Sequence, residues 1–393
     1  MRILLMPSSY APVLGGLQTV AQTLAQHLSC SHEVQVLTNH YPRCLPAHEV
    51  VDGVAVRRWL FLSPRLTDLR RRRLDLLLAS FCIRPYTLMR LNRLMHTFRP
   101  QVVNVHFPDN QIPYVLWLRR HFSFRLVASL HGHEIERFFE ADQDELHQSA
   151  FAATRERRSS AEQMRVLLRS ADAVTACSRY LLDKAITLEP TVVAKGQAIY
   201  NGVDLQRFRE KTAHPHSRPY ILAYGRMTYK KGFDLLIEAF APVAARCSDL
   251  DLVLAGDGEE RSNLQARVRQ LGMEARVHFY GRATPQQVVQ LLNGCRGVVI
   301  PSRQEPFGIV AIEALAAGKP VLATQVGGLV EVLQGSGSYF VSPNVLELQQ
   351  ALLRWIDSID GRIREYPTFS PERHDWKHIV GQFEQVYQTE TMH

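Results

Sequence analysis

Long apolar runs are missing from this chain of 393 residues: none approaches the roughly eighteen that a membrane-spanning helix needs. Met1-Arg2-Ile3-Leu4-Leu5-Met6 has neither the length nor the cleavage site of a signal peptide, so the protein is expected on the cytoplasmic side. Cysteine is sparse. The six residues Cys30, Cys44, Cys82, Cys177, Cys247 and Cys295 have no paired or metal-like spacing, which points to free thiols rather than a disulfide framework or a metal knot. There is no G-x-G-x-x-G, and the second strand-like run, Glu33 to Thr38, leads to Asn39 and His40 instead of the acid that would hold an adenosine ribose. That excludes the common dinucleotide fingerprint. No recognised nucleic-acid motif accompanies the net charge of +8, so nucleic acid is not an expected partner.

What is present belongs to an ordinary globular chain, 46% apolar and 21% charged, long enough for two to three domains with their own cores. The basic excess is one-sided: residues 1–211 hold 28 Lys+Arg against 19 Asp+Glu, whereas residues 212–393 hold 18 against 19. Between 65 and 99 stand nine arginines (Arg65, Arg70, Arg71, Arg72, Arg73, Arg84, Arg90, Arg93, Arg99) interleaved with Leu74, Phe81, Leu88, Met89 and Phe98. Such a mixture suits a basic amphipathic surface at an anionic membrane; a solvated helical face over an ordinary core is the competing reading.

One stretch organises the rest. The short β-branched run Gly297 to Pro301 reads as a buried parallel strand, Pro320 to Thr324 as another, and between them a helix starts near Gly308 and stops at Gly318. In this βαβ unit Glu305 stands in the loop at the strand's carboxyl end and Glu313 in the second helical turn. Ligands bind at that edge of an open parallel sheet, and the first N–H groups of the helix attract anions. Two carboxylates there suit the hydroxyls of a sugar and a ribose whose phosphates lie between them. A surface loop residue and a solvated helix position are the plainer alternative.

Taken in order, Arg2 to Met6 is a strand, Pro7 to Gly16 a loop closed by Gly15-Gly16, and Leu17 to Leu28 a helix. Strand, glycine loop and helix make a phosphate-binding arrangement, unless the glycine pair serves only a tight turn. Strands follow at Val102 to Val105 and Arg125 to Leu130, the latter ending in His131-Gly132-His133-Glu134, where His131 would face a ligand or be a satisfied structural histidine. A charged helix from Glu156 to Arg169 and a strand from Ala173 to Ala176 come next. Lys211 to Pro219, with two prolines and no periodicity, is the expected linker. A second series begins with strand Tyr220 to Tyr224 and helix Phe233 to Ala245, and Arg226 and Lys231 between them can clamp a diphosphate. It continues with strand Leu250 to Ala255, helix Glu260 to Leu271 and strand Arg276 to Tyr280. The helical stretch Pro371 to Gln388 closes the chain.

Together, Gly15-Gly16, Ser129-Leu130-His131-Gly132, Asn201-Gly202-Val203-Asp204, Gly225-Arg226 with Lys231-Gly232, Ala255-Gly256-Asp257-Gly258 and Glu305-Pro306-Phe307-Gly308 with Glu313 resemble family 4 of the retaining glycosyltransferases. The resemblance implies the α/β GT-B fold, two Rossmann-like domains facing across a cleft. Residues 1–212 would bind the acceptor, 219–370 the nucleotide sugar, and 371–393 would form a helix returning to the first domain. It also implies retaining transfer of a sugar from a nucleoside-diphosphate sugar, UDP- or GDP-linked, to a hydroxyl of a sugar, lipid-linked glycan or small molecule, as in glycolipid, polysaccharide or other glycoconjugate biosynthesis. No cofactor and no metal would be needed. Carried over by position, Arg226 and Lys231 neutralise the diphosphate, and Gly16 with Gly15 approaches it from the other domain. Glu305 contacts the transferred sugar, Phe307-Gly308-Ile309 offer backbone groups, Glu313 holds the ribose, and His131 sits beside the sugar. A double displacement would need a carboxylate nucleophile that no residue obviously supplies, so front-face substitution is expected. A nucleotide-sugar epimerase and a catalytically silent sugar-nucleotide-binding protein are the alternatives.

Overall fold

The structure, a computed structural model, describes residues 1–12, 16–62, 74–139, 150–359 and 371–389. The chain divides into two compact units: unit 1 is Met1–Tyr200 with Trp376–His393, and unit 2 is Asn201–Asp375. In chain order the helices are α1 (Gly16–Leu28), α2 (Leu74–Phe98), α3 (Ile112–His121), α4 (His133–Glu136), α5 (Ala150–Ser170), α6 (Arg179–Leu188), α7 (Phe233–Arg246), α8 (Arg261–Gln270), α9 (Pro285–Gly294), α10 (Ile309–Ala316), α11 (Leu329–Val332), α12 (Val345–Ile359) and α13 (Trp376–Gln388). Among the described residues no helix is long and apolar enough to cross a membrane. No disulfide joins the cysteines; all are free thiols.

Unit 1 is built on an eight-stranded sheet of β1 (Arg2–Pro7), β2 (Glu33–Asn39), β3 (His48–Val51), β4 (Val54–Trp59), β5 (Val102–His106), β6 (Arg125–Leu130), β7 (Ala173–Ala176) and β8 (Gly196–Ala198), in the order β3-β4-β2-β1-β5-β6-β7-β8. The inner strands are apolar on both faces because helices cover both, and every residue of β5 is buried. Only β3 runs antiparallel, joined to β4 through Asp52 (φ 49°) and Gly53 (φ 80°). Consecutive left-handed residues suit the tight hairpin turn that Asp-Gly encodes. A polar ladder crosses the core: Thr175 donates to Ser129 (2.8 Å), Ser129 to Asn104 (2.8 Å), and Asn104 to the Tyr387 hydroxyl of α13 (2.7 Å). Arg125 Nε also donates to the Val386 carbonyl at 2.7 Å, so α13 is bolted to unit 1.

Unit 2 carries a parallel six-stranded sheet of β9 (Tyr220–Tyr224), β10 (Asp251–Ala255), β11 (Val277–Gly281), β12 (Gly297–Ile300), β13 (Val321–Thr324) and β14 (Tyr339–Val341), ordered β11-β10-β9-β12-β13-β14. Strand order reverses between β9 and β12, where the loops above the two strands splay apart and leave a crevice at their carboxyl ends. Trp355 of α12 and Phe240 of α7 are fully buried in the core beneath. Helix α9 begins with a complete capping box, Thr284 with Gln287, and Pro285 at its first position.

The expected linker is not one. Lys211 to Pro219 belongs to unit 2: His214 N–H donates to the Gln290 carbonyl (2.9 Å), and Asn293 donates to the carbonyls of Glu210 and Thr212 (2.7 and 3.2 Å). Prolines and missing periodicity mark irregular backbone, and this irregular backbone is pinned to α9. The closing stretch also splits: Pro371–His374 is a 3₁₀ turn in unit 2, and only from Trp376 does α13 join unit 1. Of the arginine-rich segment, Arg65 and Arg70 to Arg73 lie outside the described residues, whereas Arg84, Arg90 and Arg93 are carried by α2.

Candidate functional site

In unit 2 the candidate residues gather at the carboxyl edge of the sheet, on both sides of the β9/β12 reversal. Above β9 the chain passes through Gly225 and the exposed Arg226, which carries no ion pair among the described residues, to a short 3₁₀ turn at Tyr229–Lys231. Gly232 (φ 65°) then turns the chain into α7. A Cβ there would lie 2.0 Å from the Pro301 carbonyl oxygen, so only glycine brings the loops above β9 and β12 this close. Arg303 locks the approach: its guanidinium holds Asp234 through two hydrogen bonds (2.7 and 2.6 Å) and lies 4.1 Å over the Tyr229 ring, while its N–H donates to the Lys230 carbonyl at 2.7 Å. Burial works to raise the Asp234 carboxyl, but the hydrogen bonds and charge of Arg303 prevail and hold it below its ordinary range.

The approach places Lys231 Nζ on Glu305 Oε2 in an ion pair. Ser302 Oγ lies 3.4 Å from the same oxygen, and Glu305 is buried. A half-buried ammonium and a buried carboxylate thus share the β9/β12 crevice. Three residues on, Gly308 (φ 98°) starts α10, and a Cβ on it would meet Leu329 at 2.5 Å. No side chain caps α10, so the N–H groups that Gly308 and Ile309 contribute to its first turn remain available to an anion. Phe307 is buried beneath the turn, its ring 6.4 Å from that of His374. Glu313 accepts from the Tyr224 hydroxyl at 2.8 Å. Burial pushes the Glu313 carboxyl up, against the opposing pull of that hydroxyl and of the Arg207 cation. Burial and the neighbouring Glu313 charge push the Tyr224 phenol up in turn.

In unit 1 the candidates stand at the carboxyl edge of its own sheet. Gly16 is the first residue of α1 and is exposed; Gly15 lies outside the described residues. His131 follows β6 and is buried, with Nε2 3.2 Å from His106 Nδ1 and the Phe107 ring 4.4 Å away. Glu134 accepts from the N–H groups of His131 and Gly132 and so shapes the turn that carries the imidazole. Burial raises the Glu134 carboxyl, against those backbone donors. Burial also pushes His106 down to about 3, so it is neutral beside His131.

His106, Tyr224 and Arg303 escaped the sequence reading. His106 ends a β-branched run just as His131 ends one, and that signal was available; the partners of Tyr224 and Arg303 lie 89 and 69 positions away and left no local trace.

Away from these edges, His216, Asp251 and His278 converge, each imidazole Nε2 3.0 Å from Asp251 Oδ2, with ligand atoms all within 4.8 Å. Arg276 (3.0 Å) and Arg218 (3.5 Å) already occupy the other carboxylate oxygen. The cluster therefore carries net positive charge before any cation arrives, which suits an ion-pair network better than a metal centre.

Comparison with known proteins shows the family and the fold. Residues 14–207 match the model described as Glycosyltransferase Family 4, and residues 204–365 match Glycosyl transferases group 1. Over 98% of both chains the sequence is 28% identical to an uncharacterised glycosyltransferase of Methanocaldococcus jannaschii. It is 27% identical to a glycogen synthase of Mycobacterium tuberculosis over 98% of this chain and 94% of the other. Among solved structures, sucrose-phosphate synthase from Thermosynechococcus elongatus superposes with a TM-score of 0.77 at 20% identity, covering 99% of this chain and 98% of that one. Anabaena HepE, solved with UDP and glucose, superposes with a TM-score of 0.71 at 19% identity over 99% of both chains. Fold and matches define a glycosyltransferase of the GT-B fold. Within that class the chain belongs to glycosyltransferase family 4.

Proposed function

We propose that the chain transfers a sugar from a nucleoside-diphosphate sugar to an acceptor hydroxyl with retention of anomeric configuration. The observation that carries this reading is the Lys231–Glu305 pair at the β9/β12 reversal, with Arg226, which has no ion pair among the described residues, above β9 and the uncapped start of α10 after Glu305. Cations and helix N–H groups suit a diphosphate, and a carboxylate among them suits sugar hydroxyls. The solved complexes of Anabaena HepE with UDP and glucose support a donor of this kind, UDP- or GDP-linked.

In this mechanism the bond from the anomeric carbon to the diphosphate oxygen breaks, and the acceptor oxygen bonds to the same face of that carbon. The acceptor proton passes to the departing phosphate oxygen. Arg226, Lys231 and the N–H groups of Gly308 and Ile309 meet the diphosphate charge of the bound donor and the further charge that develops on the leaving group, so they serve both binding and the transition state. Glu305, held by Lys231 and Ser302, accepts hydroxyls of the sugar, and Glu313 accepts a ribose hydroxyl. Phe307 supports the turn from below. To Gly16, with Gly15, we assign a backbone approach to the diphosphate, and to His131 a hydrogen bond to the sugar, both on the strength of the family resemblance. No cofactor is assigned, and the positive groups on the protein are set to neutralise the diphosphate. The exposed Phe81 and Met89 of α2, beside Arg84, Arg90 and Arg93, support a membrane-proximal acceptor.

Proton NMR of the product tests the stereochemistry: an α-linked donor is expected to give an α-linked product, and a β-linked product would overturn retention. Removing one charge-stabilising donor typically costs on the order of 100-fold or more in turnover. Arg226→Ala is expected to lose that much kcat/KM with an unchanged melting temperature, since the side chain is exposed. Near-normal kinetics would remove Arg226 from the leaving group.

A further inference from the structure

At the amino-terminal edge of the unit 1 sheet, where β5, β6 and β7 begin, lies a cavity of about 950 Å³ whose lining includes Arg99, Arg119, Arg120, Arg125, Asp172 and Phe122. Four guanidinium groups therefore face one carboxylate, and that carboxylate is already taken. Arg119 donates to Asp172 Oδ1 at 2.6 Å, and the Leu126 N–H donates to Oδ2 at 2.7 Å. Arg119 also donates to the Phe124 carbonyl, so it is a structural group.

The other three are not used up in this way. Arg125 donates through Nε to the Val386 carbonyl and Arg99 through Nε to the His96 carbonyl (3.3 Å), which leaves their terminal nitrogens without a partner among the described residues. Arg120 is exposed and has no hydrogen bond or ion pair among the described residues. Arg99 adds a second oddity: it caps α2 in the left-handed region (φ 49°), where glycine sits without strain and a long side chain does not. Arg125 feels the Asp172 charge, but Arg99 and Arg120 have no carboxylate partner among the described residues; like charges around one space repel one another, and an anion with several oxygens relieves that repulsion. Planar guanidinium forks match phosphate oxygens two at a time. The volume is that of a small-molecule site, and the Phe122 ring offers an apolar wall.

We propose that this cavity binds a small organic phosphate, such as a phosphorylated sugar, at a site separate from the carboxyl-edge residues of unit 1. The phosphate could arrive as a free metabolite or as a lipid headgroup; the chemistry recognised is the same.

Hydrogen exchange of the full chain with inorganic pyrophosphate, read by peptide, tests the proposal in wild type and in Arg99→Gly/Arg120→Ala. Pyrophosphate is expected to protect peptides covering 95–101 and 117–126 in the wild type, with a dissociation constant at least tenfold weaker in the variant. Arg99→Gly relieves a left-handed residue, so the variant is expected to melt no lower than wild type and lost binding cannot be lost folding. Protection confined to peptides around 225–232 and 301–313, or equal protection in both proteins, would overturn the proposal. Vesicles of phosphatidylcholine with phosphatidic acid separate the sources. Vesicle binding that falls with the double substitution assigns a headgroup, and vesicle binding that does not fall, with pyrophosphate protection lost, assigns a soluble phosphate.

Discussion

Glu313 and His106 are both pushed toward their neutral forms by burial, with opposite consequences for pH. Glu313 lies above its ordinary 4.5. The folded chain therefore holds that proton more tightly than the unfolded one. Stability falls as pH rises from the unfolded value through the folded one, and above both the loss is complete. A carboxylate accepts a ribose hydroxyl more strongly than the neutral acid does, so donor KM is expected to fall as pH rises through the raised value. Glu313→Gln is expected to flatten that profile and raise donor KM by roughly 10- to 100-fold, as loss of a hydrogen bond to a charged group would. A profile unchanged by the substitution would separate Glu313 from the donor. His106, lowered to about 3 from 6.5, stays neutral while the unfolded chain takes up a proton. Unit 1 is expected to lose up to about 1.4 kcal/mol per pH unit below the unfolded value. Urea midpoints at pH 5 and 7 measure this, and in His106→Gln the difference should shrink; an equal slope in both would place the titrating group elsewhere. At this scale the sequence shows His131 at the end of an apolar run, Glu305 in the loop after one and Glu313 in the helix that follows, whereas His106, which also ends such a run, escapes it. Tyr224 could be read only as the last residue of a strand, because its hydroxyl works through a partner that folding supplies.

Elements were legible where one physical signal governed them. The buried strands β5, β6, β7, β9, β12 and β13 each followed from a short β-branched run, and α10 from its glycine start and its glycine-proline stop. The β3–β4 hairpin was missed although Asp52-Gly53 between apolar residues announces it, because a four-residue edge strand with alternating exposure has no apolar run. The linker expectation does not hold for the opposite reason: irregular composition is not freedom, because hydrogen bonds to α9 hold that backbone in place. Helix α13 shows how an element is tied by a few polar contacts within an apolar seam, from Asn104 to Tyr387, from Arg125 to Val386 and between His32 and Glu384. Tyr387→Phe leaves the buried amide of Asn104 without its acceptor and is expected to cost unit 1 about 1–3 kcal/mol, measured by chemical unfolding. A loss below a few tenths would mean the apolar stripe of Ile379, Val380, Phe383 and Val386 suffices.

For the molecule as a whole, the excess of positive charge lies in residues 1–211, whereas Arg226, Lys231, Glu305 and Glu313, the residues proposed to hold the donor, lie in the nearly neutral remainder. The charge thus says little about the donor and more about what unit 1 meets, whether phosphate or membrane. Family membership was legible because several weak motifs kept their order along the chain. The substrates were not, since contacts made by backbone leave no residue signature.

The most direct test of the central claim is a thermal-shift panel of UDP, GDP, ADP and dTDP with their sugar conjugates, run on wild type and Arg226→Ala. A ligand at a hundredfold its dissociation constant stabilises a fold by about 2.7 kcal/mol, well within the range of such a panel. The account predicts that one nucleoside diphosphate and its sugar conjugate raise the melting temperature of the wild type and raise that of Arg226→Ala much less. A panel in which none does, or in which wild type and variant respond alike, would contradict it.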